Sequence, residues 1–236
     1  MCAPFAEVSI ELKPAPAAAR RTVLFDFDGT LTRTDSFGLV LRNIILAHPL
    51  RSLAAASLLP LGLPMLFSTR AKKNGGSIFI WIASVGREGR DWIAELQTTA
   101  RAAFAEDSRI CQPVIDRLHA HVAAGDRVLI VTGSAASVAR SICDRIGLAV
   151  PVVGSSMRRR LGGYVSRMHC FGERKLEHLA RQHALTQWDI VYSDSAHDLP
   201  LMQRASQVVL VNPTARSLRK VRARLSPETQ LEILRG

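Results

Sequence analysis

A short apolar run that ends in two aspartates and a glycine limits the possible folds of this chain more than any other feature. The run VLFDFDGT occupies residues 23–30. In an extended chain Asp26 and Asp28 lie on one face, because side chains alternate with a period of two residues. Gly29 then lets the backbone turn close to a bound anion. Since open α/β sheets bind ligands at the carboxyl ends of their strands, the run predicts a strand that presents both acids at such an edge.

Two neighbouring carboxylates with no basic residue beside them also indicate a cation site. Oxygen ligands of this kind are the ones that Mg²⁺ prefers, so magnesium is the expected cofactor. A simpler interpretation is an ordinary strand followed by an Asp-Gly turn. The choice between the two depends on whether matching residues follow at the ends of later strands.

Apolar runs of strand length alternate with helical patterns along most of the chain. Such alternation predicts an α/β fold in which parallel strands are joined by right-handed helical crossovers. A hairpin is expected within residues 158–167, around Gly162 and Gly163, and a basic helix from Ala215 onward. The expected strands are residues 23–25, 127–131, 150–153, 188–192 and 207–211.

Helical patterns fill residues 34–125, between the first and second expected strands, with Ser36 as a predicted helix cap. Residues 53–67 are almost wholly apolar but contain Pro60, Gly62 and Pro64. We expect the prolines to break this segment, which is also shorter than the about 20 residues of a membrane-spanning helix. The helices either pack into a small subdomain or, in addition, turn one face toward lipid.

Charge is distributed unevenly over this helical segment. Residues 36–90 contain a single acid, Glu88, and seven basic residues, which are Arg42, Arg51, Arg70, Lys72, Lys73, Arg87 and Arg90. The whole chain carries a formal net charge of +11, which predicts an anionic partner. A phosphate substrate, a nucleic acid and an acidic membrane surface all satisfy that requirement, and net charge alone does not choose among them.

The first residues and the cysteines bear on the cellular compartment. Residues 1–21 are expected to form a flexible leader, since they contain no continuous apolar stretch that could serve as the core of a signal peptide. The four cysteines are widely spaced at Cys2, Cys111, Cys143 and Cys170. They predict reduced thiols of a cytosolic protein, with neither a disulfide framework nor a cysteine metal site.

Three later segments carry residues that could act on a phosphate group together with the two aspartates. In chain order these residues are Thr132, Gly133, Ser134, Lys175, Asp194 and Asp198. The first three follow an expected strand and precede a helix, where backbone amides favour an anion. The lysine lies before another helix, and the last two acids end a strand. Each signal is weak alone, but all four segments in this order favour a phosphate site.

These segments resemble the four motifs of the haloacid dehalogenase superfamily, whose nucleophile motif is D-x-D-G-T. The string DSAHDLP at residues 194–200 is similar to the D-S-x-x-D-x-P form of the phosphoserine phosphatase-like branch. The resemblance spans residues 23–211. It implies a three-layer, doubly wound parallel sheet formed by residues 22–33 and 126–236, with an inserted helical cap at residues 34–125.

A narrower resemblance is to the C-type phosphatidylglycerophosphate phosphatases, which are membrane-associated. It lies in the apolar, proline-containing cap and in the strings VTGS at 131–134, MHCFGERK at 168–175 and YSDSAHDLPL at 192–201. His197 departs from the asparagine common in soluble phosphoserine phosphatases, and the cap lacks an obvious acid for a substrate amino group. Both differences argue against phosphoserine as the substrate.

The resemblance also implies roles for the candidate residues. Asp26 is the expected nucleophile and Asp28 the general acid and base, while Lys175 neutralises charge on the phosphate and the nucleophile. The remaining expected roles are phosphate binding by Thr132, Gly133 and Ser134, coordination of Mg²⁺ by Asp26, Asp194 and the main-chain carbonyl of Asp28, and orientation of Lys175 or a metal-bound water by Asp198.

The expected activity is Mg²⁺-dependent hydrolysis of a phosphomonoester through an aspartyl-phosphate, with the phospholipid phosphatidylglycerophosphate as substrate. The expected location is cytoplasmic, peripheral to or shallowly inserted in the inner face of the cell membrane, with an anionic membrane surface as partner. The alternative is a soluble phosphatase of small phosphomonoesters. A nucleic-acid-binding module is not expected, because no recognition motif appears and aromatic residues make up only 6% of the chain.

Overall fold

The structure is a computed structural model that describes residues 20–67 and 72–236. Side chains are described for these residues except 59, 61–67 and 72–75. Residues 1–19 of the predicted leader, and with them Cys2, lie outside the described residues. So do Arg70 and the side chains of Lys72 and Lys73, which the charge pattern included.

The described residues form one sheet. Its strands are β1 (Thr22–Phe25), β2 (Arg127–Ala135), β3 (Val152–Arg160), β4 (Gly163–Met168), β5 (Trp188–Ser193), β6 (Ala205–Val211) and β7 (Gln230–Leu234). Their order is β4-β3-β2-β1-β5-β6-β7, and neighbours are parallel except in the β3–β4 hairpin. The chain winds outward from β1 in both directions, so β1 lies where open α/β sheets bind ligands. The predicted doubly wound α/β fold is confirmed.

Helices occupy the connections between the strands. Those between β1 and β2 are α1 (Ser36–Leu46), α2 (Pro49–Phe67), α3 (Lys72–Ser84), α4 (Gly89–Ala103) and α5 (Gln112–Ala123). Those that follow β2 are α6 (Ala136–Arg145), α7 (Glu173–His183), α8 (Leu199–Met202) and α9 (Ala215–Arg222).

Both faces of the sheet are buried, which produces the three layers. In β1, Val23 and Phe25 pack into a core that includes Leu118 of α5, whereas Leu24 packs into a second core that includes Leu179 of α7. The opposite directions of adjacent side chains follow from the two-residue period of a strand. Because both faces are covered, β1 is an unbroken apolar run, as is typical of buried parallel strands.

The helical segment between β1 and β2 contacts the sheet domain along a long surface. In this segment α2 packs on α3 and α1 packs on α4, while α3 also lies against β4 and α4 against α6. The last helix, α5, packs directly on β2. The division of the chain into a core and a cap at residues 34–125 stays a prediction.

The expectation that prolines break residues 53–67 is wrong. Helix α2 continues from Pro49 to Phe67 through Pro60 and Pro64. A proline removes only its own N–H donor and displaces one carbonyl, so the bonds of neighbouring residues can carry a helix past it. In the part of the chain that the structure describes, no helix is both long enough and apolar enough to cross a membrane.

The ends of the sheet also differ from expectation. Strand β3 continues through the three arginines to Arg160, and the turn of the predicted hairpin is at Leu161 and Gly162. The basic tail forms α9 only to Arg222, and the chain then adds β7 in parallel with β6. The polar and apolar alternation of the sequence QLEIL in β7 is typical of a half-exposed edge strand.

Candidate active site

The carboxyl ends of β2, β1 and β5 meet at one edge of the sheet and bring the sequence motifs together. The N–H of Asp26, directly after β1, donates to the carbonyl of Tyr192 in β5 with an N···O distance of 2.9 Å. Asp194 directly follows β5. Thr132 lies in β2, whose register against β3 is irregular between Val131 and Ala135. Irregularities of this kind re-aim side chains and are frequent beside active sites.

A buried lysine joins two of the predicted acids. The Lys175 ammonium donates to Asp26 Oδ1 at 2.7 Å and lies 2.7 Å from Asp198 Oδ1. Ser193 Oγ donates to the other oxygen of Asp198 at 2.8 Å. The Lys175 side chain is only 3% exposed. These contacts place Asp198 beside Lys175, one of the two groups that the resemblance expects it to orient, and the orienting role stays a prediction.

The two carboxylates determine the charge of Lys175. Burial by itself would lower the pKa of this lysine, but Asp198 and Asp26 outweigh burial and raise the pKa above its ordinary value. Burial also raises the pKa of Asp26, and the Asp198 charge adds to that effect while Lys175 opposes it. The ammonium is therefore charged at neutral pH and favours the ionised form of the Asp26 carboxylate that it contacts.

A chain of hydroxyls and amides joins Asp28 to the end of β2. The N–H of Ser36 donates to Asp28 Oδ1 at 2.8 Å. The hydroxyls of Ser36 and Ser134 lie 3.0 Å apart, and the N–H of Ser134 donates to Thr132 Oγ1 at 2.9 Å. Burial raises the pKa of Asp28 to about 6, against the opposing hydrogen bonds from Ser36. A carboxyl group with such a pKa can both give and take a proton near neutral pH.

Gly29 lies directly against Asp194. Its φ of +81° is in the left-handed region, and a Cβ at this position would lie 2.5 Å from Asp194 Oδ2. Burial raises the pKa of Asp194 to about 6, and the Asp198 charge adds to the shift. The glycine in the first motif therefore allows both the turn after Asp28 and the approach of the Asp194 carboxylate.

The donors at this edge fit a divalent cation. Four carboxyl groups, Asp26, Asp28, Asp194 and Asp198, lie around Lys175, and the pKa values of the first three are raised. Burial is the main cause of these raised pKa values, and a bound cation would favour the ionised carboxylates. The described residues contain no cluster of three or more His, Cys, Asp or Glu side chains poised to hold a metal. The predicted ligands include only two carboxylates, because Asp28 is expected to contribute its main-chain carbonyl, and this ligand assignment stays a prediction.

An apolar cavity of about 590 Å³ opens beside the acids. Asp28, Gly133 and Ser134 lie at its end nearest the sheet. Its wall comes from α1, α3 and β3 and includes Phe37, Leu41, Ile45, Phe79, Ile80 and Met157. The cavity therefore continues from the expected phosphate site into the helical segment.

The sequence did not reveal several residues that hold this site in place. Ser36, predicted as a helix cap, instead binds Asp28 through its N–H, and Asp35 caps α1 by accepting from the N–H of Gly38. Ser155 Oγ donates to the carbonyl of Gly133 at 2.7 Å and accepts from the N–H of Cys170 at 2.9 Å. A serine before a helix was the only signal at Ser36, and no local pattern distinguishes Ser155.

Comparisons with known proteins bear on the family and the fold. A family model described as haloacid dehalogenase-like hydrolase matches residues 23–203. A solved protein of unknown function from Bordetella pertussis Tohama I is 21% identical, with a TM-score of 0.66 over 90% of this chain and 98% of its own. A phosphoserine phosphohydrolase-like protein from Francisella tularensis subsp. tularensis SCHU S4 is 15% identical, with a TM-score of 0.56 over 86% of this chain and 98% of its own.

A third solved structure is a phospho-aspartyl intermediate analogue of phosphoserine phosphatase. It is 14% identical to this chain, with a TM-score of 0.51 over 85% of this chain and 90% of its own. At these identities the structural likeness concerns the fold. The family match concerns the sequence itself, and it covers all four motifs. It ends at residue 203, whereas the predicted resemblance extends to residue 211.

Proposed function

The chain belongs to the haloacid dehalogenase-like hydrolase family, and from that premise we propose that it is a phosphatase whose substrate has a largely apolar leaving group. The observation that carries the proposal is the apolar cavity, which begins at Asp28 and Ser134 and continues between α1 and α3. The confirmed class is a hydrolase of this family. The narrower assignment, to phosphatidylglycerophosphate, belongs to the proposal.

In the proposed reaction, a carboxylate oxygen of Asp26 attacks phosphorus and forms an aspartyl-phosphate as the bond to the leaving oxygen breaks. Asp28 gives its proton to the leaving alkoxide, and it then takes a proton from the water that attacks the phosphorus of the intermediate. The pKa of about 6 for Asp28 supports both transfers. The phospho-aspartyl analogue of a structural neighbour is consistent with this route.

Charge on the transferred phosphoryl group needs cationic and hydrogen-bonding partners. Lys175, charged and 2.7 Å from Asp26 Oδ1, is the proposed fixed cation. The Thr132 hydroxyl, already held by the N–H of Ser134, is the proposed hydrogen-bonding partner at the end of β2. Asp26, Asp194 and the carbonyl of Asp28 would hold Mg²⁺, which when bound supplies further neutralisation of the phosphoryl oxygens.

The proposed substrate is the lipid phosphatidylglycerophosphate, whose hydrolysis gives phosphatidylglycerol. The cavity wall supports an amphiphile over an amino acid, because Asp28 and Asp35 are the acids among the lining residues. Asp28 is bound to Ser36, and Asp35 accepts from the N–H of Gly38. The other lining residues include no acid that could bind the amino group of a phosphoserine.

Exposed leucines support the proposal that the protein works at the inner face of an anionic membrane. Leu46, Leu50 and Leu53 are 59%, 82% and 67% exposed near the junction of α1 and α2. Residues 36–87 contain no acid. Apolar side chains next to basic ones suit a lipid surface, where each nearby Lys or Arg adds about 1 kcal/mol of attraction.

A phosphate-release assay tests the proposed substrate. The wild-type enzyme is supplied with Mg²⁺ and with phosphatidylglycerophosphate in mixed micelles, phosphoserine or glycerol 3-phosphate. Burial of about four methylenes at about 0.8 kcal/mol each predicts a kcat/KM roughly 200-fold higher for the lipid. If phosphoserine or glycerol 3-phosphate is the better substrate, the lipid proposal is wrong and the alternative, a soluble phosphatase of small phosphomonoesters, takes its place.

A further inference from the structure

One arginine lines the cavity, and its side chain has no ionic partner among the residues that the structure describes. Arg42 is an exposed residue of α1 and lines the cavity together with Asp28 and Ser134. Among the described residues it makes no hydrogen bond and no ion pair. Two other arginines around the helical segment are paired, since Arg87 contacts Glu95 at 2.9 Å and Arg159 contacts Glu88 at 3.0 Å.

The carboxylates that share the cavity with Arg42 are already bound elsewhere. Asp28 accepts from the N–H of Ser36, and Asp35 accepts from the N–H of Gly38, each at 2.8 to 2.9 Å. No acid occurs in residues 36–87, which supply about half of the cavity wall. Arg42 is the one Lys or Arg among the lining residues, and its guanidinium can attract an anionic group of a ligand.

The position of Arg42 relative to the reacting centre follows from the geometry of α1. The helix begins at Ser36, whose N–H holds Asp28, and Arg42 lies six residues later. Six residues of α-helix correspond to about 9 Å along the axis. A flexible arginine side chain at that distance can reach back along the cavity, toward a group that lies a few bonds beyond the scissile phosphate.

We propose that Arg42 is a specificity-determining residue that binds a second phosphate or phosphodiester on the leaving alcohol of the substrate. This inference rests on the proposed phosphatase activity and adds a requirement to it. The guanidinium forms paired, charge-assisted hydrogen bonds with phosphate oxygens, and a substrate without the second anion loses that interaction. The preferred substrates are accordingly phosphomonoesters with two anionic groups separated by a short linker.

Two matched pairs of substrates test the role of Arg42. Glycerol 1,3-bisphosphate and glycerol 3-phosphate form the soluble pair, and phosphatidylglycerophosphate and phosphatidic acid in mixed micelles form the lipid pair. Initial phosphate release is measured for the wild type, Arg42→Gln, Arg42→Lys and Asn43→Ala. Asn43 is the control position, since it is an exposed neighbour on α1 that does not line the cavity.

Arg42→Gln should lower kcat/KM by about 10- to 100-fold for the member of a pair that carries the second anion, the range expected for a charged hydrogen bond. It should change the other member by less than about twofold, and Arg42→Lys should recover part of the loss. An effect in the soluble pair identifies a free second phosphate, and an effect in the lipid pair identifies the headgroup phosphodiester.

An equal loss on both members of each pair, or no loss on any substrate, overturns the inference. Its failure is distinguishable from failure of the proposed substrate. If the wild type does not hydrolyse phosphatidylglycerophosphate, the lipid proposal fails. Phosphate release from the two soluble substrates still shows whether Arg42 binds a second anion.

Discussion

The buried charge cluster and the cavity wall face the same site, but the protein holds them in different ways. In the cluster, Lys175 contacts Asp26 and Asp198 at 2.7 Å, and Ser193 binds the second oxygen of Asp198. In the wall, apolar residues of α1 and α3 surround the cavity, and Arg42 has no ionic partner in the described part of the chain. The cluster draws on residues far apart in the chain, whereas much of the wall comes from α1 and α3.

The difference indicates how each region responds to substitution. Removing one partner from a buried charge cluster leaves the others uncompensated, so both stability and chemistry suffer. Removing a side chain from the open wall changes what binds and leaves the chemistry in place. The four predictions below test this contrast, beginning with the largest expected effect.

Asp26→Asn should lower kcat by several orders of magnitude. An amide is a poor nucleophile, and loss of one member of a catalytic unit removes most of the activity of the whole unit. The amide is nearly the same size as the carboxylate, so circular dichroism should show an unchanged fold. Asp116→Asn, at an exposed acid of α5, is the matched control and should retain full activity. Retention of a tenth of wild-type activity by the folded variant would rule out Asp26 as the nucleophile.

Lys175→Met should lower the free energy of unfolding by about 3–5 kcal/mol and should abolish most activity, because Asp26 and Asp198 lose their shared cation. Urea denaturation and phosphate release measure the two effects. Adding Asp198→Asn to this variant should restore part of the stability but none of the activity.

Lys220→Met, at an exposed lysine of α9, is the matched control for this pair of variants. It should change neither stability nor rate. A Lys175→Met enzyme as stable as the wild type would show that the cluster does not depend on its central cation.

Asp194→Ala should weaken the apparent affinity for Mg²⁺ by about 10- to 100-fold, as is typical of disturbed metal sites. Activity measured against Mg²⁺ concentration gives this affinity. Gly29→Ala should act in the same direction, because its Cβ would lie 2.5 Å from Asp194 Oδ2. An unchanged magnesium curve for Asp194→Ala would transfer the ligand role to Asp198.

Changing Leu50 and Leu53 together to Ser should abolish most binding to anionic vesicles while leaving hydrolysis of glycerol 3-phosphate within about twofold of the wild type. The reason is that these exposed side chains lie on α2 and do not line the cavity that contains Asp28. Co-sedimentation at low and high salt measures the binding, which added salt should weaken. Residues 59, 61 and 63 also belong to this apolar segment, but their side chains lie outside the described residues.

Leu161→Ser is the control for the leucine variant, since Leu161 is 82% exposed in the turn of the β3–β4 hairpin. It should bind vesicles as the wild type does. Failure of the wild type to co-sediment with anionic vesicles at low salt would contradict the membrane proposal.

The sequence predicted most of the sheet and identified candidate site residues, because both depend on local patterns, and the roles of those residues stay predictions. Apolar runs bounded by Gly, Asp or Asn located the strands. Among the described residues the one missed strand is β7, a half-exposed edge strand with a weak apolar signal. The prediction for α2 was wrong because it rested on the low helix propensity of proline alone. Hydrogen bonds in the neighbouring turns can continue a helix past a proline.

The supporting contacts of the site could not be predicted from local patterns. Ser36 and Ser134 are 98 positions apart and their hydroxyls lie 3.0 Å from each other, and Lys175 meets Asp26 across 149 positions. Such pairs depend on how β1, β2 and α7 are arranged in space. The identity of a residue and of its neighbours in the chain does not give its distance in space from a residue about 100 positions away.

The sequence by itself determined the α/β class and the order of the acids, the hydroxyl and the lysine, since strand periodicity and a glycine after two aspartates are local properties. Only the tertiary structure decided that Lys175 is shared by two carboxylates, that Ser36 holds Asp28, and that Arg42 has no ionic partner among the described residues. The physical reason is that burial and electrostatic pairing depend on every group within a few ångströms, and chain folding alone brings those groups together.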